Sequence, residues 1–174
     1  MQKNLAEIDS FLCEVLRLAD LPKPQTASVD VNSLVTEVEL FARLESSKKE
    51  LVIDVRLDKN LPQTQADPNQ IKQAVLNLLL NAIQASPPKG RITLATRTED
   101  NHILITVRDN GEGIAPARRD RIFEPFFSTK EGALGFGLPL VLEIVKMHGG
   151  EISFKAEVGK GSEFLVLLPI AEAE

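Results

Sequence analysis

The chain of 174 residues contains no Trp and no Tyr, a single Cys and only two His. Without Trp or Tyr, aromatic stacking is not expected to carry ligand recognition. One thiol excludes an internal disulfide and suits a reducing compartment. Lys and Arg total 20 against 25 Asp and Glu, so the net charge is −5 and there is no basic stripe for nucleic acid.

Long apolar runs are also missing. No stretch approaches the roughly 20 residues that a membrane-spanning helix needs, and the first twenty residues lack the pattern of a signal peptide. A hydrophobic content of 43% is nevertheless enough for a packed core. These features predict a cytoplasmic domain, whose parent protein can still be membrane-anchored.

The chain divides near its first prolines. Pro22 and Pro24 end an N-terminal helix, and LPKPQTAS (21–28) has the composition of a linker. We therefore expect two units, a helical segment over 1–27 and a larger domain over 28–174. The helical segment carries apolar residues at steps of three and four, typical of a coiled-coil seam and equally of a helix folded onto the domain: Leu5, Ile8, Leu12, Val15 and Ala19.

The larger domain has a mixed α and β pattern. Asp30 or Asn32 caps a helix predicted over 32–48, and Asp67 followed by Pro68 opens a second one over 67–86. A third helix is predicted over about 138–148, and alternating segments predict strands at 51–57, 91–98, 102–109, 151–158 and 162–169. Helices that are grouped rather than alternating with strands predict an α+β fold: a two-layer α/β sandwich with a mixed, mostly antiparallel sheet of about five strands and three main helices.

Asn110-Gly111 follows a strand and by itself indicates a hairpin turn. A hairpin requires a second strand about two residues later. The residues that follow, EGIAPARRD (112–120), lack period-2 alternation and read as a loop running into a short helix. The hairpin interpretation therefore fails, and the two glycines in this loop need another reason.

The helix over 67–86 carries a row of amides opposite its apolar face: Gln70, Gln73, Asn77, Asn81 and Gln84. A solvated helix face is the simpler interpretation, but such faces usually carry Glu and Lys, and Asn is a poor helix former. An Asn carboxamide offers an oxygen suited to Mg²⁺ and donors for phosphate oxygens.

A second glycine cluster, GALGFGLPL (132–140), stands immediately before the third helix. Glycines at a helix N-terminus let backbone N–H groups approach phosphate, although a flexible loop with incidental glycines is the common alternative. The phosphate-loop pattern GxxxxGK[ST] is absent, GxG is never completed at the sixth position, and protein-kinase signatures are also absent. A nucleotide would therefore bind through another architecture.

Four segments in order resemble the N, G1, F and G2 boxes of sensor histidine kinases: NLLLNAIQA (77–85), DNGEGI (109–114), FEPFFSTK (123–130) and GFGL (135–138). These kinases share an ATPase superfamily with gyrase B, the Hsp90 chaperones and MutL. The resemblance runs from about residue 28 to 170 and is greatest to kinases of the nitrogen-regulation type. It implies a Bergerat-type ATP-binding fold.

The resemblance also implies roles for individual residues. Asp109 would accept a hydrogen bond from the adenine amino group, which favours adenine over guanine. Asn81 would supply the oxygen that binds Mg²⁺, with Asn77 supporting the phosphates. Residues 115–134 would form a mobile lid, from which Lys130 could reach the phosphates. The remaining nucleotide-binding positions implied are Gln84, Gly111, Gly113, Ile114, Gly135, Phe136, Gly137 and Leu138.

Two departures from the family pattern affect phosphate contacts. Gln84 stands where many kinases have a basic residue, and Leu134 stands where Thr or Ser is frequent.

Asn77 distinguishes the kinase branch of this superfamily from the ATPase branches, because gyrase-like and MutL-like members place a Glu there as general base for water. A neutral amide cannot take that proton, so the resemblance implies phosphoryl transfer rather than fast ATP hydrolysis.

The family's phosphoacceptor is a His followed by an acidic residue, and neither His102 nor His148 has that context. We therefore expect a catalytic part of a sensor kinase that begins inside the second helix of the dimerisation hairpin and is a monomer or weak dimer. Its partners would be ATP, Mg²⁺, the phosphoacceptor domain of the parent kinase and a response regulator. Two alternatives stay open: a serine protein kinase of the anti-sigma type and a non-catalytic nucleotide-binding module.

Overall fold

A computed structural model of the chain describes residues 21–129 and 134–170. The apolar seam of residues 5–19 and the lysine at position 130 lie outside this described part, so the predictions made for them stay predictions. None of the described helices is long and apolar enough to cross a membrane.

Three α-helices and seven strands make up the described fold. The helices are α1 (Val31–Ser47), α2 (Pro68–Ala85) and α3 (Gly137–Met147). The strands are β1 (Ala27–Val29), β2 (Val52–Leu57), β3 (Thr64–Ala66), β4 (Arg91–Glu99), β5 (His102–Asp109), β6 (Glu151–Glu157) and β7 (Gly161–Pro169). The loop of residues 110–115, which contains Gly111 and Gly113, is called the first glycine loop. A 3₁₀ helix (Pro116–Arg121) follows it.

The predicted two-layer sandwich is confirmed. Five strands form one sheet in the order β2-β4-β5-β7-β6, in which only β2 and β4 pair in parallel. Apolar residues of the three helices and of the central strands form a single core, including Leu78, Val141, Ile105 and Val166. Along β4 and β7, alternate side chains are buried, as the period of the sequence predicted.

Side-chain caps begin the first two helices where the sequence placed them. Asp30 accepts hydrogen bonds from the backbone N–H groups of Asn32 and Ser33. Asp67 accepts from the N–H groups of Asn69 (2.9 Å) and Gln70 (3.1 Å), and Pro68 occupies the first turn. Both caps satisfy N–H groups that a helix leaves without partners.

A small second sheet was not predicted. Strands β1 and β3 pair antiparallel, so that Ala27 lies opposite Ala66. The predicted domain boundary between residues 27 and 28 therefore falls inside β1.

The segment predicted as a linker is held against the domain. The backbone N–H of Gln25 donates to Asp67 Oδ2 (2.9 Å), and the amide nitrogen of Gln70 donates to the Pro22 carbonyl (2.8 Å). Polar groups at the start of α2 thus fix the path by which the chain enters the domain.

His148 joins the end of α3 to the start of α2. Its ring is buried, Nδ1 lies 2.7 Å from the Ile144 carbonyl oxygen, and Nε2 lies 3.0 Å from the Asp67 backbone nitrogen. The Ile144 carbonyl requires a donor and the Asp67 N–H requires an acceptor, so Nδ1 donates and Nε2 accepts. His148 is the C-cap residue of α3, so its ring lies at the helix C-terminus.

Candidate functional site

A cleft of about 710 Å³ lies between α2, the first glycine loop and the N-terminal end of α3. This volume is within the range of small-molecule sites. Of the nucleotide-binding positions that the resemblance implied, ten line it: Asn77, Asn81, Gln84, Asp109, Gly113, Ile114, Gly135, Phe136, Gly137 and Leu138.

The amide row on α2 divides between two environments. Gln73, Asn77, Asn81 and Gln84 line the cleft. Gln70 does not: it is buried and bonded to the Pro22 carbonyl. Asn77 and Asn81 are half-buried, so the simpler interpretation of a fully solvated helix face does not describe them.

The second glycine cluster meets the two asparagines. A β-carbon added to Gly137 would lie 3.6 Å from Asn81 Nδ2 and 4.0 Å from Asn77 Oδ1. The absent side chain therefore leaves a gap between the N-terminus of α3 and both amides. Backbone N–H groups and the dipole of α3 favour an anion in this gap.

The same end of the cleft fits a hard cation. An Asn carboxamide oxygen is a Mg²⁺ ligand, and Mg²⁺ in nucleotide sites is usually held by one or two side chains together with phosphates. The described residues contain no group of three or more His, Cys, Asp or Glu side chains that could hold a metal by themselves. Asn81, with Asn77 beside it, suits an ion that arrives with a polyphosphate.

A buried carboxylate lies at the floor of the cleft. Asp109 is 4% exposed and its Oδ1 accepts from the backbone N–H of Gly111 (2.8 Å) and of Ser162 (3.3 Å). These bonds fix the orientation of the carboxylate. A fixed acceptor in a cleft that Ile114 and Phe164 also line suits the amino group of a flat heterocycle.

Ser162 is a site residue that the sequence analysis missed. It is buried, lines the cleft and touches Asp109 through its backbone N–H. It is the second residue of β7, which begins directly after the turn that joins β6 to β7. A signal was present in GKGSEF (159–164), where a small hydroxyl residue follows two glycines at the start of a strand.

The glycines of the first loop serve the protein's own packing. A β-carbon on Gly111 would lie 2.2 Å from the Ala85 carbonyl oxygen, and one on Gly113 would lie 2.0 Å from that of Glu157. Gly111 lies behind the cleft rather than in its lining, whereas Gly113, with φ of +70°, lines it. The loop therefore passes between α2 and the β6–β7 turn so closely that no side chain fits, and no hairpin forms.

The lid segment begins as the short helix that the sequence indicated. The 3₁₀ helix is tied down by Arg119, whose guanidinium donates to the Ala156 carbonyl (2.6 Å). Beyond it, the Arg121 guanidinium lies 4.4 Å from the ring centroid of Phe127, and the rings of Phe126 and Phe136 meet edge to face at 4.9 Å. Phe127 and Leu134 line the cleft from this side.

Fold and cleft together define a class of protein: an α+β nucleotide-binding domain with amides and a glycine-bounded helix N-terminus at one end of the cleft and a buried carboxylate at the other. Residues 66–172 match the family described as histidine kinase-, DNA gyrase B-, and HSP90-like ATPase. The chain belongs to this family.

The relatives are sensor kinases. The chain is 35% identical over 170 residues to the sensor histidine kinase ZraS of Escherichia coli (strain K12), which covers 98% of this chain and 37% of ZraS. The crystal structure of full-length ShkA in complex with AMPPNP matches with a TM-score of 0.86 and 30% identity, over 94% of this chain and 36% of that one. The histidine kinase ThkA, in complex with the response regulator TrrA, shares the fold, with a TM-score of 0.82, 24% identity and coverage of 98% and 49%.

The chain spans little more than a third of the length of ZraS. The family match and the curated relatives show a histidine kinase-like ATPase domain that is similar in sequence to part of the sensor histidine kinase ZraS.

Proposed function

We propose that this domain binds Mg-ATP and transfers the γ-phosphoryl group to a His on a helical hairpin domain of its parent kinase. The observation that carries the proposal is the arrangement of the cleft, with Asp109 at one end and Asn77, Asn81 and the N-terminus of α3 at the other. In this proposal the nucleotide lies along the cleft, with its base at the carboxylate and its phosphates at the amides.

The side-chain oxygen of Asn81 would bind a Mg²⁺ ion that is also bound to the phosphates, and Asn77 would orient a phosphate. The ion would neutralise charge on the transferred group, which is the main requirement of phosphoryl transfer. Asp109 would fix the base and thereby the position of the phosphates. Asn77 has no basic group to take a proton from water, so transfer to a better nucleophile is favoured over hydrolysis.

Neither His of the chain is suited to be the acceptor. Both ring nitrogens of His148 are engaged, with the Ile144 carbonyl and the Asp67 N–H. His102 opens β5, while Asp109 ends it; at about 3.4 Å per residue the two are roughly 24 Å apart. The acceptor in this proposal is a separate imidazole, on a domain that the linker of residues 21–26 would position.

The experiment uses radiolabelled ATP with this chain, with the hairpin domain of a parent kinase, and with both. We expect label only in the mixture, on the hairpin, and stable to base but labile to acid. Transfer in trans should be slow, because the effective concentration that a covalent link gives is absent. Phosphoserine on a partner would support a serine kinase, and tight ATP binding without any transfer would support a nucleotide-binding module.

A response regulator would then accept the phosphoryl group from the hairpin in the full system. ThkA, which shares the fold, is known in complex with such a protein. The test is the transfer of label from the phosphorylated hairpin to a candidate regulator after ATP has been removed.

A further inference from the structure

Three arginines lie on the 3₁₀ helix at the edge of the cleft, and two of them are engaged. Arg119 donates to the Ala156 carbonyl, and Arg121 pairs with Glu124 at 3.0 Å while lying over Phe127. Within residues 21–129 and 134–170, the side chain of Arg118 has no hydrogen bond or ion pair. A guanidinium carries five donors, so this one is available to a ligand.

Arg118 lines the cleft. Ala115, the residue before this 3₁₀ helix, accepts a hydrogen bond from the Arg118 backbone N–H (2.9 Å) and also lines the cleft. Among the described lining residues Arg118 is the sole cation, whereas Asp109 and Glu112 are carboxylates. Without Arg118, the charged side chains among the described lining residues would all be negative.

We propose that Arg118 binds the phosphates of the nucleotide, an inference that rests on the proposed function. Its planar fork matches phosphate oxygens, and its charge compensates for the neutral Gln84, which also lines the cleft. The side chain reaches from a segment beside the first glycine loop, so it would close over the nucleotide from the lid side.

The test measures binding of ATP, ADP, AMP and adenosine, in the presence of Mg²⁺, to the chain and to its Arg118→Gln variant by calorimetry. We expect ATP to bind about two- to fivefold more weakly to the variant, the range for an exposed charge pair. The loss should shrink from ATP to AMP and vanish for adenosine. Arg118→Lys should recover part of the affinity, because it keeps the charge without the fork.

Arg108→Gln is the matched control. Arg108 is exposed and precedes Asp109 on β5, so its side chain points to the opposite face of the sheet. The control removes the same charge close to the cleft without removing a lining residue. Its ATP affinity should equal that of the unaltered chain.

Each other outcome overturns the inference. An equal loss for ATP and adenosine would place Arg118 on the base or ribose. An unchanged affinity, or an equal loss in Arg108→Gln, would leave Arg118 as a solvated surface residue. If the unaltered chain binds no nucleotide, the proposed function itself fails, which is a different result from normal binding that is insensitive to Arg118. Equal melting temperatures of the variants show that the fold is intact.

Discussion

Gly137→Ala should separate nucleotide binding from folding more cleanly than any other single change in this cleft. Gly137 is the first residue of α3, and the new methyl group would lie 3.6 Å from Asn81 Nδ2 and 4.0 Å from Asn77 Oδ1. These are ordinary van der Waals distances, so the protein has room for the methyl group. A phosphate that approaches the N–H groups of α3 would collide with this methyl group.

The substitution should raise or preserve the stability of the fold but weaken the binding of Mg-ATP. Alanine in place of glycine within a helix stabilises by up to about 0.5–1 kcal/mol, so the melting temperature should stay or rise. A lost hydrogen bond to a charged phosphate is worth about 1.5–3 kcal/mol, which corresponds to roughly ten- to a hundredfold in the Kd of Mg-ATP. Adenosine, which has no phosphate, should bind the variant normally.

Calorimetry with Mg-ATP and adenosine, together with thermal melts without ligand, measures both effects. Gly111→Ala is the contrasting variant, because its methyl group would lie 2.2 Å from the Ala85 carbonyl oxygen and should destabilise the fold itself. If Gly137→Ala binds Mg-ATP as tightly as the unaltered chain, the phosphates do not lie at the N-terminus of α3 and the orientation proposed for the nucleotide is wrong.

Three further variants test other parts of the site. Asp109→Asn keeps an oxygen for the N–H groups of Gly111 and Ser162 but should turn an acceptor for the base into a donor, weakening ATP by about ten- to a hundredfold; GTP binding as tight as ATP binding in the unaltered chain would refute that role. Asn81→Ala should abolish the Mg²⁺ dependence of ATP binding while changing stability by no more than ~0.7 kcal/mol, as melts and titrations with and without Mg²⁺ would show. Burial raises the pKa of Asp67, but N–H donors from Gln25, Gln70 and Asn69 outweigh it, so its pKa lies below the ordinary 3.8. The stability from this carboxylate is present above pH 3.8 and is lost as the pH falls through the lowered pKa, so urea midpoints of Asp67→Asn and the unaltered chain should converge only in acid.

The sequence by itself determined the local elements. Asp30 and Asp67 with Pro68 fixed where α1 and α2 begin, because capping acts over two or three residues and leaves a readable pattern. The absence of alternation after Asn110 excluded a hairpin for the same local reason. The four motifs, in order, also identified the family before any contact was known.

Tertiary structure decided the features that join distant segments. The pairing of β1 with β3 brings together three-residue strands more than thirty residues apart, which are too short to show a period. The parallel pairing of β2 with β4 depends on the path of the chain between them. No local pattern encodes either arrangement, since each is selected by burial in the shared core.

The individual side chains divide in the same way. Asn77 and Asn81 could be named from the sequence because one helix places them on one face, whereas their meeting with Gly137 needed the packing of α3 against α2. Spacing suggested that Gln70 belonged to the same row, but the packed linker took it out of the cleft. Ser162 and Arg118 enter the site only because β7 lies beside β5 and the 3₁₀ helix turns back over the first glycine loop. A sequence specifies which groups each helix and strand carries. It does not specify their partners, because these contacts form only when the elements pack around a shared core.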